Sequence, residues 1–162
     1  RRHVLRVVRD ILYHTPEGRG TDSVKALDVA SHVLHRRAIV FLISDFQSPG
    51  DPVIARAALR RAMRLTNRRH DLIAVQVEDP REKELPNVGV LALEDAETGD
   101  VIELDTANPK VRKRYSELAA EHARRLVTDF RSEGVDTLEL KTDAPYMPAL
   151  QRFFKTRERR RV

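Results

Sequence analysis

Apolar residues recur along this chain at two different spacings. Val4, Val8, Ile11 and Leu12 follow a helical period until Thr15-Pro16-Glu17-Gly18 stops them. Val24, Leu27, Ala30 and Leu34 repeat that period, with Asp22 or Ser23 as the expected N-cap. From Ala38 to Ile43 no polar residue interrupts, so the run predicts a strand buried on both faces. Ser48-Pro49-Gly50-Asp51-Pro52 then reads as a turn, with Asp51 capping a helix whose buried stripe is Ile54, Ala58, Ala62 and Leu65. Leu72 to Val77 is a second apolar strand, and it ends on Glu78 and Asp79.

Beyond a loop from Asp79 to Pro86, Val88–Leu93 and Val101–Leu104 predict a hairpin in which Gly99 supplies a positive φ. Val111, Tyr115, Leu118, His122, Leu126 and Phe130 mark one face of a long helix that Gly134 ends. Thr137–Leu140 is a third short strand, and Met147, Leu150, Phe153 and Phe154 define the last helix. Buried strands alternating with amphipathic helices predict an α/β domain, a parallel sheet with helices on both faces and a β-hairpin insertion. With no internal repeat or linker, residues 1–162 read as a single domain.

Composition narrows the chemistry. There is no cysteine, which removes disulfides and thiolate metal sites and suits a cytoplasmic protein. The net charge of +5 comes mostly from arginine and bears on solubility more than on a site. Ser44-Asp45 ends a buried strand, and ligands gather at that end of open α/β sheets. A carboxylate there either holds a hard cation such as Mg²⁺ or caps a local turn. "GRGTD", Gly18 to Asp22, precedes a helix but lacks the lysine and spacing of a phosphate-binding loop, so a turn with a cap is the simpler reading. His32 and His35 show no metal-binding spacing, and no nucleophile elbow or cysteine nucleophile is present. The basic stretches at 110–115 and 155–161 lack a stacking platform of aromatics, so no nucleic-acid partner is expected.

Several segments together resemble one family. "HVLRVVRDIL…GRGTD", "IVFLISDF", "RRHDLIAVQVEDPREKELPNVGVLALEDAETGD" and "LQRFFKTRERRR" are similar, in order, to the later part of the bacterial DUF58 proteins. These are von Willebrand factor A-like domains associated with MoxR-type AAA+ ATPases. The resemblance implies a Rossmann-like sheet carrying a metal-ion-dependent adhesion site. In that site an Asp-x-Ser-x-Ser motif, a middle-loop Thr and a late Asp hold Mg²⁺ or Mn²⁺. Thr21 matches the threonine and Asp45 the aspartate, with Ser44, Gly20 and Asp22 in supporting positions. The Asp-x-Ser-x-Ser motif does not occur in these 162 residues, so metal binding by this chain is expected to be weak or absent.

The chain opens Arg1-Arg2-His3-Val4 without methionine and runs straight into a helix, so it reads as part of a longer protein whose first strands lie upstream. In the family the missing first strand borders Ala38–Ile43, so that strand is expected to have an open edge prone to self-association. The resemblance implies a non-catalytic domain that binds a carboxylate-bearing protein ligand and a MoxR-type ATPase. It also implies a cytoplasmic location, with membrane tethering supplied by segments outside this chain. A Mg²⁺-dependent phosphoryl-transfer or hydrolase domain using Asp45 is the alternative.

Overall fold

The computed structural model describes residues 2–15, 21–47, 52–94 and 99–160. Two helices, α1 (Arg2–Tyr13) and α2 (Ser23–Val33), lead into strand β1 (Ile39–Ser44). Helix α3 (Pro52–Arg69), strand β2 (Asp71–Glu78) and a 3-10 turn over Pro80–Glu82 follow. Strands β3 (Val90–Glu94) and β4 (Val101–Asp105) form the expected hairpin, with Gly99 at φ 78°. Helix α4 (Pro109–Ser132), strand β5 (Asp136–Lys141) and helix α5 (Tyr146–Arg160) complete the order. The expected turn at 48–51 lies outside the described residues.

Strands β1, β2 and β5 form one parallel sheet in that order, with Ile39 opposite Asp71 and Ile73 opposite Asp136. The hairpin is a separate antiparallel pair. Its base is fastened by Thr106, whose hydroxyl donates to the Gly89 carbonyl at 2.6 Å and accepts from the Val88 N–H at 3.1 Å. The fold is therefore mixed α/β with a parallel sheet flanked by helices and a hairpin, as the residue pattern predicts.

Two apolar layers sandwich the sheet. On one side Leu27 of α2, Leu59 and Met63 of α3, and Leu126 and Phe130 of α4 pack on Leu72 and Ala74. On the other, Ala149, Leu150 and Phe153 of α5 pack on Ile73, Val75 and Leu138. Central strand β2 is buried on both faces because helices cover both; β1 is not. Val40 and Leu42 join the first layer, whereas Ile39, Phe41 and Ile43 are 54%, 43% and 65% exposed. This corrects the expectation of burial on both faces. Helix α5 lies over β2 and β5 and reaches β1 through Phe154, whose ring stands 6.4 Å from that of Phe41. Within the described residues β1 pairs only with β2, so its outer edge is open, as expected.

Two helical faces also differ from expectation. Helix α3 buries Leu59, Met63 and Thr66, while Ile54 and Leu65 of the expected stripe are exposed. Ala62 of that stripe packs on the core and Ala58 is half-buried, so contact with α2 and β2 shifts the buried face around the helix toward Leu59 and Met63. In α4 only the last turns, Leu126 and Phe130, reach the core; Leu118 is exposed. Helix α1 forms as predicted, yet Val4, Leu5, Val8, Ile11 and Leu12 are all exposed.

Candidate functional site

The C-terminal end of β1 is built by a single tight turn. The Ser44 hydroxyl accepts the Phe46 N–H at 3.0 Å and donates to Asp45 Oδ1 at 3.3 Å. The same Oδ1 accepts the Gln47 N–H at 3.1 Å. Asp45 thus does serve its own turn. The side chain nevertheless remains exposed, and among the described residues nothing bonds its Oδ2.

Phe46 is the unusual member of this turn. Its φ of 59° lies in the left-handed region, where a bulky side chain is rarely found. The ring is 4% exposed and packs edge-on against Phe130 at 4.8 Å. Burial of that ring offsets a backbone strain of about 1–2 kcal/mol. The consequence is an abrupt reversal: Phe46 enters the core and Asp45 faces solvent.

The structure brings Ser44 and Asp45 into one bonded turn and gives Asp22 a different task. Asp22 is the N-cap of α2 and accepts from the Lys25 N–H at 2.8 Å. Thr21 stands exposed beside that cap, and Gly20 lies outside the described residues. Thr21 and Asp45 offer one hydroxyl and one carboxylate, three oxygens at most where a hard cation takes about six or more. Among the described residues no group of three or more His, Asp or Glu side chains is arranged to hold a metal ion. On their own, then, these residues do not amount to a metal shell.

Acids from the neighbouring strand crowd the same end of the sheet. Asp79 caps the 3-10 turn by accepting from the Arg81 N–H at 2.9 Å. Glu78 is paired with Lys83 at 2.6 Å and accepts from the Gln76 amide at 3.2 Å. Glu82 is exposed as a residue, yet its carboxyl is pushed above the usual range. Partial burial is the first cause, and the charges of Asp45, Asp79 and Glu78 add to it. The residue pattern singled out Glu78 and Asp79 at this end. It did not single out Glu82, which reaches the site only because the 3-10 turn folds back.

Beside the turn opens a cleft of about 440 Å³. Its floor includes Phe46, Leu59, Met63, Leu118 and Leu126, and Glu82 and Tyr115 stand on its wall. The Tyr115 hydroxyl is pushed up by burial first and by the Glu82 charge second. The half of the α4 stripe that fails to enter the core therefore lines an open apolar cleft next to Asp45.

A family model described as "Protein of unknown function DUF58" matches residues 1–125. An uncharacterized protein of Mycobacterium avium is 33% identical over 144 residues, covering 89% of this chain and 80% of that protein. Uncharacterized proteins of Mycobacterium bovis and of Mycobacterium tuberculosis strain H37Rv are each 32% identical over 161 residues, 98% of this chain. The chain spans 48% of each of those two longer relatives. No solved structure matches. No helix among the described residues is long and apolar enough to cross a membrane.

Proposed function

We infer that this chain, which belongs to the DUF58 family, is a non-catalytic protein–protein interaction domain of the metal-ion-dependent adhesion type. It works with a MoxR-type AAA+ ATPase in protein assembly or chaperone-like activation, on the cytoplasmic side. The observation that carries this reading is the turn at Phe46, which keeps an exposed carboxylate at the end of a parallel strand. Strain of this kind persists only where surrounding packing enforces it, and it concentrates at functional positions. Asp45 keeps an exposed carboxylate here, the family resemblance adds Thr21 as a second ligand, and water with a partner's carboxylate completes the contact around a divalent cation. With so few protein ligands, affinity for Mg²⁺ or Mn²⁺ alone is weak.

Selective broadening of amide signals by Mn²⁺ detects such weak binding. Broadening is expected at Thr21, Asp45 and Phe46, and it disappears in Asp45→Ala. Broadening that is absent, lies elsewhere or survives Asp45→Ala would leave Asp45 with its turn-forming role alone.

One observation favours a second reading. Glu82 feels the charges of Asp45, Asp79 and Glu78, so acids from two strand ends share one neighbourhood, as a Mg²⁺-dependent phosphoryl-transfer or hydrolase site requires. Against it, Glu78 is tied to Lys83 and Asp79 to the 3-10 turn. Turnover of a generic phosphoester, abolished by Asp45→Asn, would establish that chemistry instead.

A further inference from the structure

The second edge of the sheet carries its own contact surface, remote from Asp45. Within the described residues β5 pairs only with β2. A groove of about 630 Å³ runs beside its outer edge. Thr137 and Glu139 lie on its floor, Val127 and Arg131 of α4 on one wall, and Phe153 and Arg152 of α5 on the other. Helices from both faces of the sheet thus overhang the edge and leave a slot between them.

The backbone at the floor is available. Thr142 donates its N–H to the Glu78 carbonyl at 3.0 Å, which sets the even-numbered positions of β5 toward β2. By the two-residue alternation, the N–H and C=O groups of Thr137 and Glu139 face the groove. Unpaired groups of this kind on an edge strand are a template for another strand.

The charge of the walls selects what that strand carries. Arg157 is tied to Asp71 and Asp136, and Arg160 to Asp136. Arg131 and Arg152 have no acidic partner among the described residues. Helix α5 adds Lys155 and Arg159 and carries only one acid, Glu158. Glu139 is the one acid at the groove outside those ion pairs. The described surroundings are therefore net positive, above apolar side chains that fit alternate positions of an extended segment.

We propose that the β5 edge binds an extended, acidic segment of a partner protein as an added strand. Main-chain hydrogen bonds to Thr137 and Glu139 supply the attachment, and Arg131 and Arg152 select carboxylates. This inference does not depend on Asp45 or on a metal. A single nucleic-acid strand fits less well, because Phe153 is the sole aromatic in the lining and its ring already contacts Phe154 and Arg157.

The test uses a fluorescein-labelled peptide of four Glu-Val repeats, read by fluorescence anisotropy against the 162-residue chain. The same peptide with alternate amides N-methylated, a Lys-Val peptide and a DNA oligonucleotide serve as comparisons. The Glu-Val peptide is expected to bind, more weakly as salt rises, while the N-methylated and Lys-Val peptides do not. Arg131→Glu and Arg152→Glu each weaken binding by about fivefold, the upper range for an exposed ion pair. Glu139→Pro abolishes it, since proline is tolerated on an edge where its N–H would face outward; circular dichroism confirms that the variant folds. If Glu139→Pro does not fold, the N-methylated peptide decides the same point. No binding, equal binding of the N-methylated peptide, or binding of DNA in place of the peptide would each overturn the proposal.

Discussion

Glu133 provides the sharpest test of what joins α3 to α4. Its side chain is only 4% exposed, although it stands at the C-terminal end of a helix, where the dipole disfavours an anion by roughly 0.3–1 kcal/mol. Arg60 offsets this with a contact at 2.9 Å and Arg64 with one at 2.7 Å. One turn earlier, Arg56 grips the equally buried Asp129 through Nε at 2.5 Å and a terminal nitrogen at 2.7 Å. Glu133→Gln keeps the shape and removes the charge. Complete loss of one partner from a fully buried pair costs about 3–5 kcal/mol. Here Arg60 and Arg64 are 37% and 51% exposed and can be rehydrated, so the lower figure for hydrogen bonds to charged groups applies, about 1.5–3 kcal/mol. For a chain of this size that corresponds to a Tm lowered by roughly 3–12 °C.

The effect has a pH signature. The Arg64 hydrogen bond, helped by Arg60, holds the Glu133 carboxyl below its usual value of 4.5. A folded-state value below the unfolded one means that the unfolded chain binds more protons between the two. The contribution is therefore complete above pH 4.5 and is lost as pH falls through the folded value. Urea denaturation followed by circular dichroism at pH 7 and pH 3 should show the gap between wild type and Glu133→Gln closing in acid. A Glu133→Gln variant within about 0.5 kcal/mol of wild type at pH 7 would refute the reasoning.

Three further outcomes follow from the same geometry. Glu82 is the opposite case from Glu133: its folded-state value is raised, so ionising it weakens the fold as pH climbs above 4.5. Glu82→Gln should raise the urea midpoint at pH 7 and leave it unchanged at pH 3; equal midpoints at both would remove the crowding of acids from the account. Phe46→Ala should cost about 3–5 kcal/mol for the lost ring, and Phe46→Gly should be about 1–2 kcal/mol more stable than Phe46→Ala because glycine relieves the positive φ. Denaturation curves with the alanine variant the more stable would show that no strain is stored there. The open β1 edge should drive concentration-dependent self-association in sedimentation velocity, suppressed by Ile43→Lys; a clean monomer across concentration would dismiss it.

Much of the architecture was legible because it follows from local periodicity. The apolar run of β2, interrupted only by Gln76, and the cap at Asp22 each carry their own signal, and each is where the pattern placed it. What could not be read depends on partners distant along the chain. Helix α3 has apolar residues on two faces, and only packing against α2 and β2 decides that Leu59 and Met63 go inward. The arginines at 56 and 60 meet acids 73 residues later, so no spacing rule announces them. Phe46 gives no warning of a positive φ, since neither glycine nor asparagine marks the position. Asp45 was identified by its place at a strand end, but the crowding around it depends on Glu82 folding back from the next strand.

The two edges of the sheet pose different binding problems. Between Ile39 and Ser44 there is no charge, proline or glycine, so nothing on β1 discourages pairing, and its exposed side chains favour an apolar partner. Strand β5 carries Asp136, Glu139 and Lys141 and lies under arginines, so indiscriminate apolar pairing is disfavoured there and charge sets the choice. The strand-end carboxylates form a third surface. Charged substitutions on β1 would therefore alter self-association without touching an acidic ligand at β5. Reversing Arg131 or Arg152 would do the converse, and Asp45→Ala would affect neither. That separability gives the binding reading its practical content: three perturbations, placed on one small sheet, should produce three independent losses.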